Sequence, residues 1–225
     1  MNKIVECIPN FSEGNDEETI RQITGVIEEV EEVKLLDVDP GKDTNRTVVT
    51  FVGSPDAVVE AAFRAIEKAS QVIDMRHQTG EHARMGATDV CPFVPVSGVT
   101  MDDCTELAKK LGKRVGEELS IPVFLYEESA TKPERKNLAN IRKGEYEGMA
   151  DKLKNPKWKP DFGPAQLNEK SGVTAIGARE FLIAYNINLN TKRTKIAKRI
   201  AYAIREQGGK KRDENDVGDG IQQPR

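Results

Sequence analysis

The strongest constraint on the fold is the order in which the apolar spacing of this chain changes period. Ile4-Val5-Glu6-Cys7-Ile8-Pro9 alternates as a strand and stops at a proline. Asn10-Phe11-Ser12-Glu13-Gly14-Asn15-Asp16 is loop chemistry, and Asn15 or Asp16 can cap a helix running to about Glu29. Val33 to Val38 is a strand, Asp39 to Asp43 a turn, and Thr47 to Val52 a β-branched strand. Ser54-Pro55 opens a helix whose Val59, Ala62, Phe63, Ile66, Ala69 and Ile73 share one face. The strand Asp89 to Val96 follows. This βαββαβ order implies a ferredoxin-like α/β (α+β) sheet with its helices on one face.

Further elements continue the pattern. A helix is expected from Met101 to Leu119, a buried strand over Pro122 to Tyr126, and a helix from about Lys136 to Leu153. Trp158 to Pro164 reads as a loop. Near Ala178 the chain restarts, with a strand from Phe181 to Leu189 and an amphipathic helix from Thr191 to Gln207. The polar run from Gly208 is expected to be disordered. These elements divide the chain into residues 1–178 and the beginning of a second α/β unit, residues 179–225. One strand and one helix cannot bury both faces of a lobe, so the second unit reads as cut short.

Both histidines, His77 and His82, lie in one Gly-flanked, charge-rich stretch between a helix and a strand. Histidine titrates near neutrality and is the default proton shuttle. The alternative is a pair of solvated loop side chains. Glu81 or Asp89 could orient the His82 imidazole, and Arg84 offers a fork for a carboxylate. Their spacing does not put the two histidines on one helical face, and no carboxylate cluster accompanies them, which argues against a metal. Asp39 and Arg46 flank a turn at a strand end and suit a substrate bearing an amidinium and carboxylates, or serve only the turn. Asn10, Ser12 and Glu13 stand at another strand end, where α/β sheets bind ligands.

A net charge of −3 gives no general attraction for nucleic acid, and no apolar run is long enough for a membrane span. The N-terminus lacks a signal-like apolar core, which points to a cytoplasmic protein. Three widely spaced cysteines, Cys7, Cys91 and Cys104, read as buried thiols rather than a disulfide framework or zinc site. Basic residues gather at Lys152, Lys154, Lys157 and Lys159, and again from Lys192 to Arg199. Such runs are either solvated faces or a surface for a small polyanion.

Four segments together resemble the glutamate formiminotransferase family, which also forms the N-terminal part of formiminotransferase-cyclodeaminase. They are Val5 to Gly14, Asp37-Val38-Asp39 with Asn45-Arg46-Thr47, Gly80-Glu81-His82 with Arg84 to Ala87 and Asp89 to Phe93, and Trp158 with Pro160 to Pro164. The resemblance implies two α/β lobes with folate between them, a homodimer, and a second lobe extending past Gln207. It also implies transfer of a formimino group from N-formimino-L-glutamate to N5 of tetrahydrofolate, in histidine degradation and one-carbon metabolism. His82 matches the catalytic histidine of the family. Its folate-contacting loop matches Gly163, Pro164, Ala165, Gln166, Leu167, Asn168, Glu169, Lys170, Ser171 and Gly172. Asp39 is then expected to stabilise the amidinium in catalysis, with Arg46, Arg84 and Asn10 binding substrate. Tetrahydrofolate, polyglutamylated in cells, would be a co-substrate, with no metal. Proline usually follows the catalytic histidine in the family, whereas Ala83 stands here. The alternatives are a non-catalytic folate-binding or dimerisation fragment, and a related enzyme acting on 5-formyltetrahydrofolate.

Overall fold

A computed structural model describes residues 3–183, 187 and 189–204. It divides into two compact units, Met1–Phe181 and Leu182–Arg225. The first unit is built on strands β1 (Ile4–Cys7), β2 (Asn10–Phe11), β3 (Val33–Gly41), β4 (Arg46–Gly53), β5 (Thr88–Ser97), β6 (Val123–Glu127) and β7 (Thr174–Ala178). Its helices are α1 (Glu17–Glu28), α2 (Pro55–Val72), α3 (Met101–Glu118), α4 (Leu138–Arg142) and α5 (Glu145–Lys154).

The expected βαββαβ core is present. β1 lies antiparallel to both β4 and β5, and β3 pairs antiparallel with β4, so the strands run β5-β1-β4-β3 across the sheet. Pro9 splits the first strand into β1 and β2, because proline cannot donate to a ladder. Both pieces still lie between β4 and β5. The stretch Asn10–Phe11 is therefore strand rather than the expected loop. The Asn10 amide donates to the Ile8 carbonyl at 3.0 Å and bridges the break.

Helix entry follows the sequence signals. The Asp16 carboxylate accepts from Glu18 N–H and caps α1, and Pro55 occupies the first turn of α2. Thr100 and Asp103 form a reciprocal capping box at the start of α3. The apolar faces of α1, α2 and α3 meet Val5, Cys7, Phe11, Val49, Phe51, Cys91 and Phe93 in one core.

The core is then extended. β7 inserts parallel between β5 and β6, so the strand emerging after α3 lies one place out. Alternate residues of β5, β6 and β7 enter a second core with Ile141, Met149 and Leu153 of α4 and α5. This half of the sheet is covered on both faces, as parallel strands require. β7 was not apparent in the sequence. Its run Thr174-Ala175-Ile176-Gly177-Ala178 is short, small and buried throughout, and carries no alternation. The single helix expected over Lys136–Leu153 is two, since the chain breaks at Lys143 and Gly144, the latter at φ 97°. β3 runs to Gly41, through the expected turn at Asp39-Pro40.

The loop containing Asp161 seals the β6 edge. Along that edge Asp161 N–H donates to the Val123 carbonyl and Val123 N–H to the Phe162 carbonyl, and Asp161 Oδ2 accepts from Leu125 N–H at 2.8 Å. The same oxygen receives the fully buried Arg135 guanidinium at 2.6 Å. Arg135 also donates to the Lys159 carbonyl at 2.5 Å.

In the second unit the expected helix is α6 (Thr194–Ile204), starting later than Thr191. Phe181, Leu182 and Ile183 are exposed and not in a strand, since no neighbouring strand bonds to them among the described residues. The rest of that expected strand (residues 184–186 and 188), the end of the helix and the polar tail lie outside the described residues.

Asp161→Ala is expected to cost about 3–5 kcal/mol, because it leaves a buried guanidinium uncompensated and the β6 edge open. Urea unfolding measures it, and a loss under 1 kcal/mol would refute this role.

Candidate functional site

Three segments converge at one end of the sheet around Asn45. This residue adopts φ 46°, a left-handed geometry that Asn tolerates. Its Oδ1 accepts from Gly14 N–H and Asn15 Nδ2, both at 2.9 Å, and its Nδ2 donates to the Thr79 carbonyl at 2.7 Å. Gln78 Nε2 returns a bond to the Asn45 carbonyl at 3.0 Å. The β3–β4 turn is thereby joined to the loop before α1 and to the histidine loop. Gly80 permits the approach, since a Cβ there would lie 2.4 Å from the Thr44 carbonyl oxygen.

The histidine loop is fixed at its other end by Asp89, which is fully buried. Its Oδ1 accepts from Met85 N–H at 3.0 Å, and its Oδ2 holds the Arg142 guanidinium. Ser12 Oγ donates to the Gly86 carbonyl at 2.7 Å. A Cβ at Gly86 would sit 2.1 Å from the Val173 carbonyl oxygen, so only glycine allows this crossing.

Between these anchors lies His82. The Arg46 guanidinium contacts its Nε2. An arginine can only donate, so Nε2 accepts and the imidazole proton is assigned to Nδ1. Nδ1 is buried without a hydrogen-bond partner among the described residues. Burial first, then the positive charges of Arg46 and Arg142, lower the His82 pKa below the ordinary value. The Asp89 charge and the Ala83 backbone oppose this. At neutral pH His82 is therefore a neutral base.

Arg46 is half-buried and makes no ion pair among the described residues. Its own pKa is lowered, by burial first and then by Arg142, against the pull of Asp89 and Asp39. Asp39 is exposed on β3, opposite Val48 of the neighbouring strand, and its charge reaches Arg46. The site thus combines a neutral histidine and two guanidinium groups with two carboxylates.

The structure separates the remaining expected residues. The Arg84 guanidinium is already occupied by Glu147 at 2.8 Å, Glu145 at 3.2 Å and Gln78 at 2.7 Å. It ties the histidine loop to α5 rather than offering an open fork. The Asn10 amide is turned to Ile8. Neither Glu81 nor Asp89 orients the imidazole by a hydrogen bond, because Nε2 meets Arg46 and Nδ1 meets nothing. In the segment Gly163–Gly172, Gly163 lies against Ile121 and Gly116, whereas Gly172 joins Gly86 across a short antiparallel bridge. Ala87 N–H donates to the Ser171 carbonyl at 2.8 Å and Val173 N–H to the Met85 carbonyl at 3.0 Å. Residues 163–166, 169 and 170 are exposed.

Arg142 was not anticipated. It is 53 residues from Asp89 in sequence and sits inside what reads as an ordinary helix. Lys152, counted in a basic run, donates to the carbonyls of Asn140, Ile141 and Lys143 at 2.7, 2.6 and 3.1 Å. It closes the end of α4, and burial lowers its pKa to about 8. Lys154 and Lys157 are paired with Asp151 and Glu134. Cys7, Cys91 and Cys104 are buried free thiols, as expected. Among the described residues no group of histidine, cysteine and carboxylate side chains could hold a metal, and no helix is long and apolar enough to cross a membrane.

A neutral histidine among guanidinium groups, on a split-βαβ sheet, has the chemistry to accept a proton and to attract an anion. Comparison with known proteins narrows this class. Residues 4–179 match the family described as "Formiminotransferase domain, N-terminal subdomain", and the chain belongs to that family. It is 55% identical over 219 residues to a formimidoyltransferase-cyclodeaminase of Dictyostelium discoideum, covering 97% of this chain and 40% of the relative. A glutamate formimidoyltransferase of Streptococcus pyogenes serotype M1 is 49% identical, with 93% and 70% covered. One from Thermoplasma acidophilum is 51% identical, with 92% and 68% covered. The chain thus spans about two fifths of the length of the bifunctional relatives.

Asp89→Asn removes the negative charge that raises the His82 pKa. The imidazole is then expected to titrate at still lower pH than in the parent chain, followed by NMR of the ring. Because the folded pKa lies below the unfolded one, His82 favours the folded state least at acid pH. Its contribution declines as pH falls from the ordinary histidine value towards the folded one. An unchanged or higher midpoint in the variant would contradict the assignment.

Proposed function

We propose that this chain carries the acid–base half of a glutamate formimidoyltransferase, moving the formimino group of N-formimino-L-glutamate to N5 of tetrahydrofolate. The observation that supports it most directly is His82, held neutral beside Arg46 and joined through Met85 to Ala87 with the segment ending at Gly172. The N5 lone pair attacks the amidine carbon and forms the new C–N bond. The N5 proton passes to His82, which returns it to the glutamate nitrogen as the old C–N bond breaks. L-Glutamate leaves, and 5-formiminotetrahydrofolate carries the amidine. Asp39 stabilises the amidinium charge, and Arg46 rather than Arg84 takes a substrate carboxylate.

In this reading residues 1–178 are the N-terminal subdomain and 179–225 the beginning of the C-terminal one. Gly163 to Gly172 contacts the folate. A homodimer, carried by the family resemblance, and a cytoplasmic setting, which fits the buried free thiols, belong to the same reading.

His82→Ala is expected to reduce turnover of formiminoglutamate by about 100-fold or more, on the scale of a lost general acid–base. The assay follows 5-formiminotetrahydrofolate. Undiminished turnover removes His82 from the chemistry. Absence of turnover in the parent chain, with tetrahydrofolate still bound, favours the non-catalytic folate-binding reading.

A polyglutamate tail on the folate gives a second expectation. Lys152, Lys154 and Lys157 have local partners, and the sequence carries a second basic run from Lys192 to Arg199. Affinity for polyglutamylated tetrahydrofolate should fall more steeply with salt than for the monoglutamate. Equal slopes in salt titrations would refute a cationic surface for the tail.

A further inference from the structure

Arg46 poses a physical problem. A half-buried guanidinium normally meets a carboxylate, yet among the described residues Arg46 has none within ion-pair distance. Its recorded bond is to the neutral nitrogen of His82. Arg142, the other cation here, is held by Asp89. The same contact disables His82 as a base, because the Nε2 lone pair is filled by a donor that cannot give up its proton. The other ring nitrogen carries the proton and faces no partner.

We infer that Arg46 is a substrate-operated gate on His82: a carboxylate of the incoming substrate draws the guanidinium off Nε2 and frees that lone pair for proton transfer. The carboxylate offers Arg46 two charge-assisted bonds in place of one bond to a neutral ring. Recognition of the acidic part of the substrate and exposure of the base become one event. An amidine without a carboxylate would enter a site whose base stays covered. A fixed orienting role for Arg46 differs from this, since it keeps the Arg46–His82 bond in the complex. The inference rests on His82 as the proton shuttle and adds how that shuttle is switched on.

The groups facing the pair come from several elements: Arg142 at the end of α4, Asp89 on β5 and Asp39 on β3. Among the described residues Arg142 is fixed by Asp89, and Asp39 is exposed, so Arg46 is the cation left to respond to a bound anion.

The test uses the full 225-residue chain labelled with ¹⁵N-histidine, in which His77 is an internal control. L-Glutamate is titrated in, with neutral glutaramide as comparison. The His82 Nε2 signal should move towards that of an uncovered imidazole nitrogen. Its titration midpoint should rise as the carboxylate offsets the Arg46 charge, while His77 and the glutaramide series stay still. Arg46→Gln should show the uncovered nitrogen without glutamate and bind glutamate about 10- to 100-fold more weakly, the scale of a charge-assisted bond. Arg46→Met, which has neither charge nor N–H donor, serves the same comparison where the glutamine variant does not fold. In turnover, Arg46→Gln should lose kcat/KM for formiminoglutamate. Glutamate that binds calorimetrically without moving His82 overturns the gate, as does a covered Nε2 in Arg46→Gln, or no glutamate binding up to its solubility limit. A His82 shift in a chain without transferase activity would instead leave the gate and remove the transferase reading.

Discussion

The buried carboxylate of Asp89 is the constraint from which the rest of the site follows. A charge placed at zero exposure needs compensation from every direction. Asp89 obtains it from the Met85 N–H on one oxygen and the Arg142 guanidinium on the other. The first bond fixes where the histidine loop enters β5. The second brings α4 onto the opposite face of the sheet from α1 to α3. Lys152 then stabilises the carbonyl end of α4, immediately beside Arg142. One carboxylate thereby couples a loop, a strand and a helix that are distant in sequence.

A second layer of control is purely steric and lies in the backbone. Gly80 and Gly86 mark the two places where the histidine loop crosses other chain segments too closely for a side chain. Asn45 supplies the left-handed turn and four hydrogen bonds between the same segments, three through its side chain and one through its carbonyl. The loop has no regular structure, but it is held by backbone bonds to Asp43, Ser171 and Val173. A side chain on an irregular loop needs such supports to hold one geometry.

The βαββαβ core was legible because each element advertises itself locally: alternation in β4, a wide apolar face on α2, a cap at Asp16 and Pro55 at the start of α2. β7 and β2 were not, for opposite reasons. β7 is buried on both faces and shows no period, and β2 is two residues long behind a proline. The break between α4 and α5 is visible only as one glycine, and a glycine alone does not reveal a left-handed turn. Asp39 and Arg46 were readable as charged residues beside a strand-end turn, and His82 as an imidazole in a Gly-flanked loop. Arg142 was not, because its partner is separated from it by most of α3, β6 and the following turns. Arg84 looked available for substrate because its acidic partners, Glu145 and Glu147, lie on a helix that sequence alone does not bring near.

The charge state of the site explains why lowering the histidine pKa suits an anionic substrate. An imidazolium beside Arg46 and Arg142 would add a third positive charge in a partly dry region, so burial and repulsion keep His82 neutral. Neutrality makes it a base at working pH, but the same cations also make its lone pair attractive to Arg46. A carboxylate arriving at Arg46 reverses both effects at once. It offsets the charge that depresses the imidazole and competes for the donor that covers it. The proton affinity of His82 should therefore be greatest when substrate is in place and least in the empty site. In the proposed transfer His82 first takes a proton from an amine and then returns it to a departing nitrogen, and that ordering limits idle protonation between turnovers and strengthens the base when a proton is there to accept.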